Sequence, residues 1–461
     1  MAYSQNSLGT PAVFEPSPLI NLVLSTISSR SSAAEGMQAM MQRATEFPSL
    51  TQAQLTGIAL DPAGRAAAEQ VLDSFWAEEA NQDDLLINAG DTCEVIIGSG
   101  FHAATYAAIR VLSGFGKPLV LERGDRVGGT FAMTGHPTFF LNSRNRPGGA
   151  GLAGDQAASL NYLPGAPIQA ANVSRAEYQT NADLAWVIRL ALAQYADVVT
   201  QAEVIAADGN ERCVDIEIRD RGALTARRII DARGVGDPVD QRTANGTSVL
   251  TFEQFMQRMA GRWPLRGLRR VAVVGGGDSG KCAVESLLGI APAPAMAAAT
   301  LDHVERVDWY SRTLPGTCKQ WRKQERGRYQ AIGRYLRSDR FGTRRLRVLE
   351  RQARPVALPD TAIVDGRTYD LVILCTGNRE VEIDGLAERS FATYTTPDGT
   401  AVARKHVDRS AYRVGPHARL PFTGSEFSNG IADIPANVVS LFRTAPKTAA
   451  LAASLPGTAE N

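Results

Sequence analysis

Two glycine-rich segments hold the residues best suited to bind a phosphorylated cofactor. The stretch "VAVVGGGDSGKC", residues 271–282, contains Gly275, Gly277 and Gly280 in the pattern G-x-G-x-x-G. Read from the same Gly275, it also begins the G-x-x-x-x-G-K pattern of a P-loop. Both patterns place backbone N–H groups at a helix N-terminus against a phosphate. They differ in the chemistry that follows, which is dinucleotide binding in one case and nucleotide hydrolysis in the other.

The residues after this turn favour a dinucleotide. A P-loop follows its lysine with Ser or Thr, whose hydroxyl holds Mg²⁺, whereas here Cys282 follows Lys281. A thiol is a poor ligand for that hard cation. In the dinucleotide pattern Gly275 makes the tight turn, Gly277 admits the pyrophosphate and Gly280 lets helix and strand pack closely. Ser279, inside the same turn, completes the predicted contacts.

The next strand predicts which nicotinamide cofactor binds there. "VERVDWYSR" ends in Ser311 and Arg312 rather than in an acid. An arginine at that position suits a ribose that carries a 2′-phosphate, and a serine can donate a hydrogen bond to the phosphate. A carboxylate there would repel it. The second turn therefore favours NADPH over NADH, the alternative being a surface arginine at a strand end.

A second copy of the pattern lies earlier in the chain. In "CEVIIGSGFHAATYAAIRVLSGFGKPLVLE" an apolar run meets Gly98 and Gly100, with Ala103 in the third small position. The following apolar run ends in Glu122, 22 residues after Gly100, where a free ribose hydroxyl needs an acceptor. Two such turns, one followed by an acid and the other by a base, suit two different dinucleotides.

The elements that position both turns predict an α/β fold. We expect two Rossmann-like, three-layer dinucleotide-binding domains and a helical N-terminal extension. Capping boxes at Ser174 with Glu177 and at Thr251 with Gln254 mark two helix starts. With the family resemblance given below, which implies an NADPH domain inserted in an FAD domain, the predicted divisions are an extension, a first FAD part, the NADPH domain, and a second FAD part with a C-terminal helix, at residues 1–90, 91–250, 251–365 and 366–461.

Composition narrows the class of protein. The 461 residues are 44% hydrophobic and 21% charged with a net charge of +1, as expected of a globular protein without a general polyanionic partner. No C-x-x-C joins the five cysteines, which argues against a thiol-relay reductase, and the five histidines suggest no metal site. The run "PLINLVLSTI" is too short to span a bilayer. Without a recognisable leader, we expect a cytoplasmic protein.

Over about residues 91–447 the chain resembles the flavoproteins with two dinucleotide-binding domains, which include class B monooxygenases, N-hydroxylases and thioredoxin-reductase-like enzymes. The resemblance rests on "VIIGSGFHAA", "LVLERGDRVGGTFA", "VAVVGGGDSGK" and "YDLVILCTG". It implies FAD at the first turn, with Gly128 and Gly129 passing near the flavin, and the nicotinamide cofactor at the second. It also implies a domain crossover at Thr376 and Gly377. "IIDARG" is similar to a second crossover, with Arg233 where Thr is usual.

The resemblance implies hydride transfer from NADPH to FAD and, after reaction with O₂, oxygenation of a small-molecule substrate. The aromatic histidine signature of Baeyer–Villiger enzymes is absent, so heteroatom or N-hydroxylation is the nearest class. The alternatives are a reductase that passes electrons to a partner, a nucleic-acid-binding flavoprotein, and a catalytically silent flavin-binding subunit.

One loop supplies the candidate catalytic residues. "TGHPTFFLNSRNRPGG" places polar side chains among aromatics soon after the Gly-Gly pair; they are His136, Asn142, Arg144 and Arg146. His102 is expected to pack near the pyrophosphate, and Tyr178, Gln179 and Asn181 are weaker pocket candidates. A helix that starts near Pro435 has an N-terminal dipole suited to an anionic reduced flavin.

An arginine-rich segment at 319–351 has twelve basic and three acidic residues. A solvated basic face on the NADPH domain is favoured over a nucleic-acid surface, and a docking site for an acidic carrier protein is the intermediate hypothesis. The sequence leaves open whether the chain forms a homo-oligomer.

Overall fold

The computed structural model describes residues 18–19, 62–88, 94–112, 116–132, 140–144, 178–210, 212–239, 242–260, 267–290, 304–312, 330–338, 345–395, 401–406 and 410–415. Within them the helices are α1 Pro62–Ala77, α2 Glu79–Asn88, α3 Phe101–Leu112, α4 Asn181–Tyr195, α5 Phe252–Ala260, α6 Asp278–Leu288 and α7 Gln330–Ser338.

The strands of the first half are β1 Glu94–Ile97, β2 Leu119–Leu121, β3 Phe140–Arg144, β4 Tyr178–Thr180, β5 Asp197–Val199, β6 Val204–Gly209, β7 Val214–Ile218, β8 Gly222–Ala226, β9 Arg228–Asp231 and β10 Asp237–Pro238. Those of the second half are β11 Val249–Thr251, β12 Arg270–Val274, β13 Arg306–Tyr310, β14 Leu346–Leu349, β15 Pro355–Ala357, β16 Ala362–Val364, β17 Arg367–Tyr369, β18 Leu371–Leu374, β19 Asn378–Arg379, β20 Phe391–Thr395, β21 Ala401–Lys405 and β22 Ala411–Arg413.

The first large sheet has the order β20-β21-β22-β9-β1-β2-β5, and β22, β9, β1, β2 and β5 run parallel. Its strands β1 and β2 are buried at every residue, which explains the apolar runs 95–97 and 119–121. Helices α3 and α4 cover one face, and the antiparallel sheet β6-β7-β8 covers the other. The predicted three-layer arrangement is thus present around the first glycine turn.

The second large sheet has the order β11-β18-β12-β13-β14, all parallel. Helices α5, α6 and α7 pack on one face, and the antiparallel sheet β15-β16-β17 packs on the other. These strands lie in sequence between β9 and β20, which both belong to the first sheet. The second Rossmann-like domain is therefore inserted in the first, as the sequence predicts.

The sequence places the NADPH domain at 251–365. Strand β11 straddles the first of these boundaries and β18 lies beyond the second, yet the two strands pair with each other. Residues 249–251 and 371–374 therefore share one sheet.

Helices α1 and α2 dock on the first domain. The carbonyl of Trp76, at the end of α1, accepts a hydrogen bond from Gln82 of α2. It accepts a second from Thr200 Oγ1 at 2.9 Å, and Thr200 directly follows β5, an edge strand of the first sheet. The predicted capping box also forms: Thr251 N donates to Gln254 Oε1 at 3.0 Å, and Gln254 N donates to Thr251 Oγ1 at 3.2 Å. The box at Ser174 and Glu177 lies outside the described residues, but the helix start predicted there is wrong. Residues 178–180 pair with β3 as strand β4, so the helix begins only at Asn181.

In the part of the chain that the structure describes, no helix is long and apolar enough to cross a membrane. The same part contains no group of three or more His, Cys, Asp or Glu side chains placed to hold a metal ion.

Candidate cofactor-binding site

The first glycine turn connects buried strand β1 to helix α3. Gly98 has φ 94°, and an ideal Cβ there would lie 2.9 Å from the carbonyl oxygen of Ala232, so only glycine fits. Gly100 directly precedes α3, and Ala103 is fully buried where the helix packs. The turn thus directs the free N–H groups of a helix N-terminus toward whatever binds in front of it.

Glu122, just after β2, is held beside this turn. Its Oε2 accepts from Ser99 N at 3.0 Å and Ser99 Oγ at 2.6 Å, and its Oε1 accepts from Gly124 N at 2.8 Å. An ionised carboxylate has about four lone-pair sites, so a half-buried Glu122 keeps accepting capacity for a ribose hydroxyl. The sequence pattern did not single out Ser99, which occupies a variable position of the motif.

The Gly128–Gly129 turn lies directly on the first glycine turn. An ideal Cβ at Gly129 would be 2.9 Å from the Cα of Gly100. Gly128 and Gly129 both have positive φ, 122° and 65° respectively. Gly128 N also donates to Ser99 Oγ at 3.1 Å. Two glycine turns in backbone contact beside the carboxylate of Glu122 form a cradle without side chains. The residues present therefore fit a dinucleotide.

The glycines of the second turn differ in how closely other atoms approach them. Ideal Cβ atoms would lie 1.9 Å from the Cys375 carbonyl oxygen at Gly275 and 2.1 Å from the Gly275 carbonyl oxygen at Gly280. Trp309 Nε1 donates to that Gly275 oxygen at 2.7 Å. Gly277 is exposed, and an ideal Cβ there meets nothing within 4 Å. Gly275 and Gly280 serve the fold, whereas the open space at Gly277 suits a ligand.

The structure also disfavours the P-loop alternative, because neither Lys281 nor Cys282 is placed to hold a nucleotide or its cation. Lys281 Nζ binds Asp278 Oδ1 of its own helix at 3.0 Å. Cys282 is buried among apolar residues of the second domain. A thiol in that position cannot reach a cation in front of the turn.

Ser311 and Arg312, the residues predicted to contact a 2′-phosphate, directly follow β13. Ser311 is buried and its N–H donates to Leu349 O at 3.0 Å, while Arg312 is exposed. The acid of the strand, Asp308, faces elsewhere: it binds Arg347 Nη2 at 2.7 Å and accepts from Tyr369 at 2.6 Å. Burial alone would raise the pKa of Asp308, but these bonds and one from Arg306 lower it.

Two segments cross between the domains, and each begins beside one of the glycine turns. The first follows β9 beside Gly98, and the second follows β18 beside Gly275. They pair as an antiparallel ribbon, β10 with β19, and Val239 N donates to Gly377 O at 3.1 Å. Arg123, next to Glu122, holds the ribbon through Asp237 at 2.5 Å. Both turns therefore lie at the two ends of one short connection.

Arg233 belongs to a four-charge cluster that fixes this ribbon to the first domain. Its Nε binds Asp231 at 2.7 Å and its Nη2 binds Glu380 at 3.0 Å. Arg413 binds the same two carboxylates, at 3.0 Å and 2.6 Å. Sequence reasoning identified only the departure at Arg233. Its partners lie up to 182 residues apart along the chain and have no local pattern.

His102 packs beneath the end of β22. An ideal Cβ at Gly415, which has φ 87°, would lie 2.8 Å from the His102 ring. The buried imidazole thus supports the chain where it returns to the first turn, which agrees with a packing role. Gly415 was not among the predicted residues.

Of the proposed catalytic loop, residues 134–149, the structure describes only residues 140–144. Asn142 and Arg144 lie on β3, which pairs with β4, the strand of Tyr178 and Gln179; none of these four side chains is described. His136, Arg146 and the helix near Pro435 lie outside the described residues. Asn181 is buried at the start of α4. Of the arginine-rich segment, only residues 330–338 and 345–351 are described.

No family model and no curated protein matches the sequence. Solved structures with a similar course of the chain include a thioredoxin reductase of Lactococcus lactis, with 15% identity over 78% of this chain and 99% of that chain and a TM-score of 0.46. A flavin-containing monooxygenase of Stenotrophomonas maltophilia has 17% identity over 78% and 99%, with a TM-score of 0.44. The ornithine N-hydroxylase of Kutzneria sp. 744 has 16% identity over 77% and 100%, with a TM-score of 0.48.

At these identities and scores the neighbours do not decide a reaction. The sheet topology defines the fold, which is two Rossmann-like domains with the second inserted in the first.

Proposed function

We propose that the chain is an FAD-dependent oxidoreductase that oxidises NADPH. The observation that carries this proposal is the pair of glycine turns at the two ends of one crossover ribbon, with open space at Gly277 of the second turn. A ribose-reading acid follows the first turn and an arginine follows the second. FAD would supply a ring that accepts hydride from NADPH and, once reduced, can react with O₂.

Each turn would hold its cofactor through the backbone. At the first, the N-terminus of α3 would bind the FAD pyrophosphate, with Glu122 accepting from the ribose and Gly128 and Gly129 leaving room for the chain to pass the flavin. At the second, the N-terminus of α6 would bind the NADPH pyrophosphate beside Ser279, with Ser311 and Arg312 at the 2′-phosphate. Thr376 and Gly377, at the second crossover, complete the proposed contacts.

The proposed domain division follows the sheets. The FAD domain consists of two parts separated by the NADPH domain, as the sequence predicts. Sheet membership supports including residues 249–251 and 371–374 in the NADPH domain. Residues 1–90 remain a proposed extension, of which α1 and α2 are described.

Replacing Arg312 with alanine tests the choice of nicotinamide cofactor. We expect the KM for NADPH to rise about 10- to 100-fold, the value of one charge-assisted hydrogen bond, while the KM for NADH stays nearly constant. Arg269→Ala is the matched control, because it removes an exposed arginine from the amino end of the same sheet. Equal effects on both cofactors would remove the 2′-phosphate assignment.

Within this class we propose a monooxygenase of the heteroatom or N-hydroxylating type, which uses O₂ and a small-molecule substrate. Asn142, Arg144, Arg146 and His136 remain the proposed substrate-facing residues. Docking of an acidic carrier protein on 319–351 also remains a proposal.

An oxygen pulse after anaerobic reduction by NADPH separates this activity from its alternative, a reductase that passes electrons to a partner. Slow reoxidation through a spectrally distinct transient supports oxygenation. Fast reoxidation without a transient, with rapid reduction of an added electron acceptor, supports the reductase and contradicts the monooxygenase.

A further inference from the structure

Arg189, on helix α4, is a buried cation beside the first cofactor cradle. The residue is 1% exposed. Its aliphatic stem lies against the Gly128 turn: an ideal Cβ at Gly128 would be 3.4 Å from Arg189 Cγ and 3.8 Å from its Cδ. Because Nε is bonded to Cδ, the guanidinium begins next to this turn.

The N-terminal helix α1 satisfies only one of the three guanidinium nitrogens. Arg189 Nη2 donates to Asp73 Oδ1 at 2.6 Å and to the Glu69 carbonyl at 3.2 Å. The group also lies 5.4 Å from the centre of the Trp76 ring. Nε and Nη1 are buried and have no acceptor among the described residues. Buried donors of a cation are costly to leave unsatisfied, so these two nitrogens point to a missing anionic partner.

The position of Gly128 indicates which anion that is. The adjacent Gly129 contacts Gly100, the last residue before α3, where a helix N-terminus favours phosphate. A guanidinium with two free N–H groups matches two oxygens of a phosphate in a bidentate pair. Asp73 and Trp76 hold the opposite edge and so fix the direction of this fork.

We propose that Arg189 binds the pyrophosphate of the dinucleotide at the first glycine turn, through Nε and Nη1. This assignment rests on the proposed function, because it requires FAD at that turn. It gives the N-terminal extension a role at the cofactor site: α1 orients the arginine, and the arginine reads the phosphate.

The test measures the dissociation constant of FAD for the full-length apoprotein by quenching of flavin fluorescence. For Arg189→Met we expect an increase of about 10- to 100-fold, the loss of a charge-assisted pair. Arg189→Lys keeps the charge without the fork and is expected to fall between Arg189→Met and wild type. Arg110→Met is the matched control: it removes an ion-paired arginine from the last turn of α3, at the end of that helix far from the glycine turn, so FAD affinity should change less than about threefold.

Competition with ADP identifies the part of FAD that Arg189 contacts. ADP carries the pyrophosphate without the flavin, so Arg189→Met should raise the inhibition constant of ADP by the same factor as the dissociation constant of FAD. The midpoint potential of bound FAD should stay unchanged, since the pyrophosphate is the same in both redox states. A lower potential with an unaltered inhibition constant for ADP would place Arg189 against the reduced ring and overturn the phosphate assignment.

Thermal unfolding of the apoprotein keeps the test decisive. If Arg189→Met destabilises the apoprotein but changes FAD affinity no more than Arg110→Met does, Arg189 is only an anchor for α1 and the inference is wrong. If wild type itself binds no FAD, the proposed function fails instead, which is a separate result.

Discussion

Gly277→Val will abolish reduction of the flavin by NADPH while FAD stays bound. Gly277 caps helix α6 in an extended conformation, φ −71° and ψ −172°, which valine readily adopts. An ideal Cβ there meets no protein atom within 4 Å. The substitution therefore costs the apoprotein little, but its methyl groups occupy the space proposed for the NADPH pyrophosphate. We expect anaerobic reduction to slow by about 100-fold or more.

Stopped-flow absorbance under anaerobic conditions measures this effect. Gly116→Val is the matched control, because Gly116 also has open space around it and no positive φ, and it lies away from both turns. That variant should keep the wild-type rate. Gly275 and Gly280 are unsuitable for the test, since any side chain there collides with backbone. Retained NADPH reduction in Gly277→Val would refute the second binding site.

Arg413→Met is expected to lower the free energy of unfolding by about 3 kcal/mol. Removing one partner of a buried ion pair typically costs about 3–5 kcal/mol, and we take the low end because Asp231 keeps Arg233. Arg413 is 1% exposed and Asp231 is 3% exposed, so water cannot replace the lost partner. Urea unfolding at pH 7 measures the change.

The loss of unfolding free energy in Arg413→Met, relative to wild type, should become smaller as the pH falls. Burial alone would raise the pKa of Asp231, but the bonds and charges of Arg233 and Arg413 bring it below the ordinary value of 3.8. Its ionisation thus stabilises the wild type above pH 3.8 and stops doing so as the pH falls through the lower folded pKa. Without Arg413 that pKa rises, so the difference in the free energy of unfolding between the two proteins should narrow as the pH falls below about 4.

Arg219→Met is the control for this prediction, because the Arg219–Glu203 pair is solvent-exposed and is expected to contribute little. An equal loss of stability in both variants, or a gap that widens on acidification, would contradict a structural role for the buried cluster.

The sequence predicted the parts of the fold that have local patterns. Gly98, Gly275 and Gly280 lie at turns that their spacing anticipates, and the buried strands β1, β2, β12 and β18 match uninterrupted apolar runs. The Thr251–Gln254 box formed because both partners lie within one helical turn. The inserted order of the two domains was implied by the resemblance to flavoproteins with two dinucleotide-binding domains.

Contacts between distant segments could not be predicted in this way. Glu380 and Arg413 join Asp231 and Arg233 only after three separate strands assemble, and no spacing in the sequence relates them. The same holds for Arg189, which appears in the sequence as one arginine in an apolar helix. Its position between α1 and the Gly128 turn emerges only from tertiary packing. Gly415 over His102 is a third example.

The most direct test of the account is reconstitution with FAD, removal of unbound flavin, and anaerobic addition of NADPH. We predict that the chain retains close to one isoalloxazine and that its visible absorbance bleaches with stoichiometric NADPH, in wild type but not in Gly277→Val. A protein that retains no flavin after reconstitution would contradict the central claim that this chain brings two dinucleotides together.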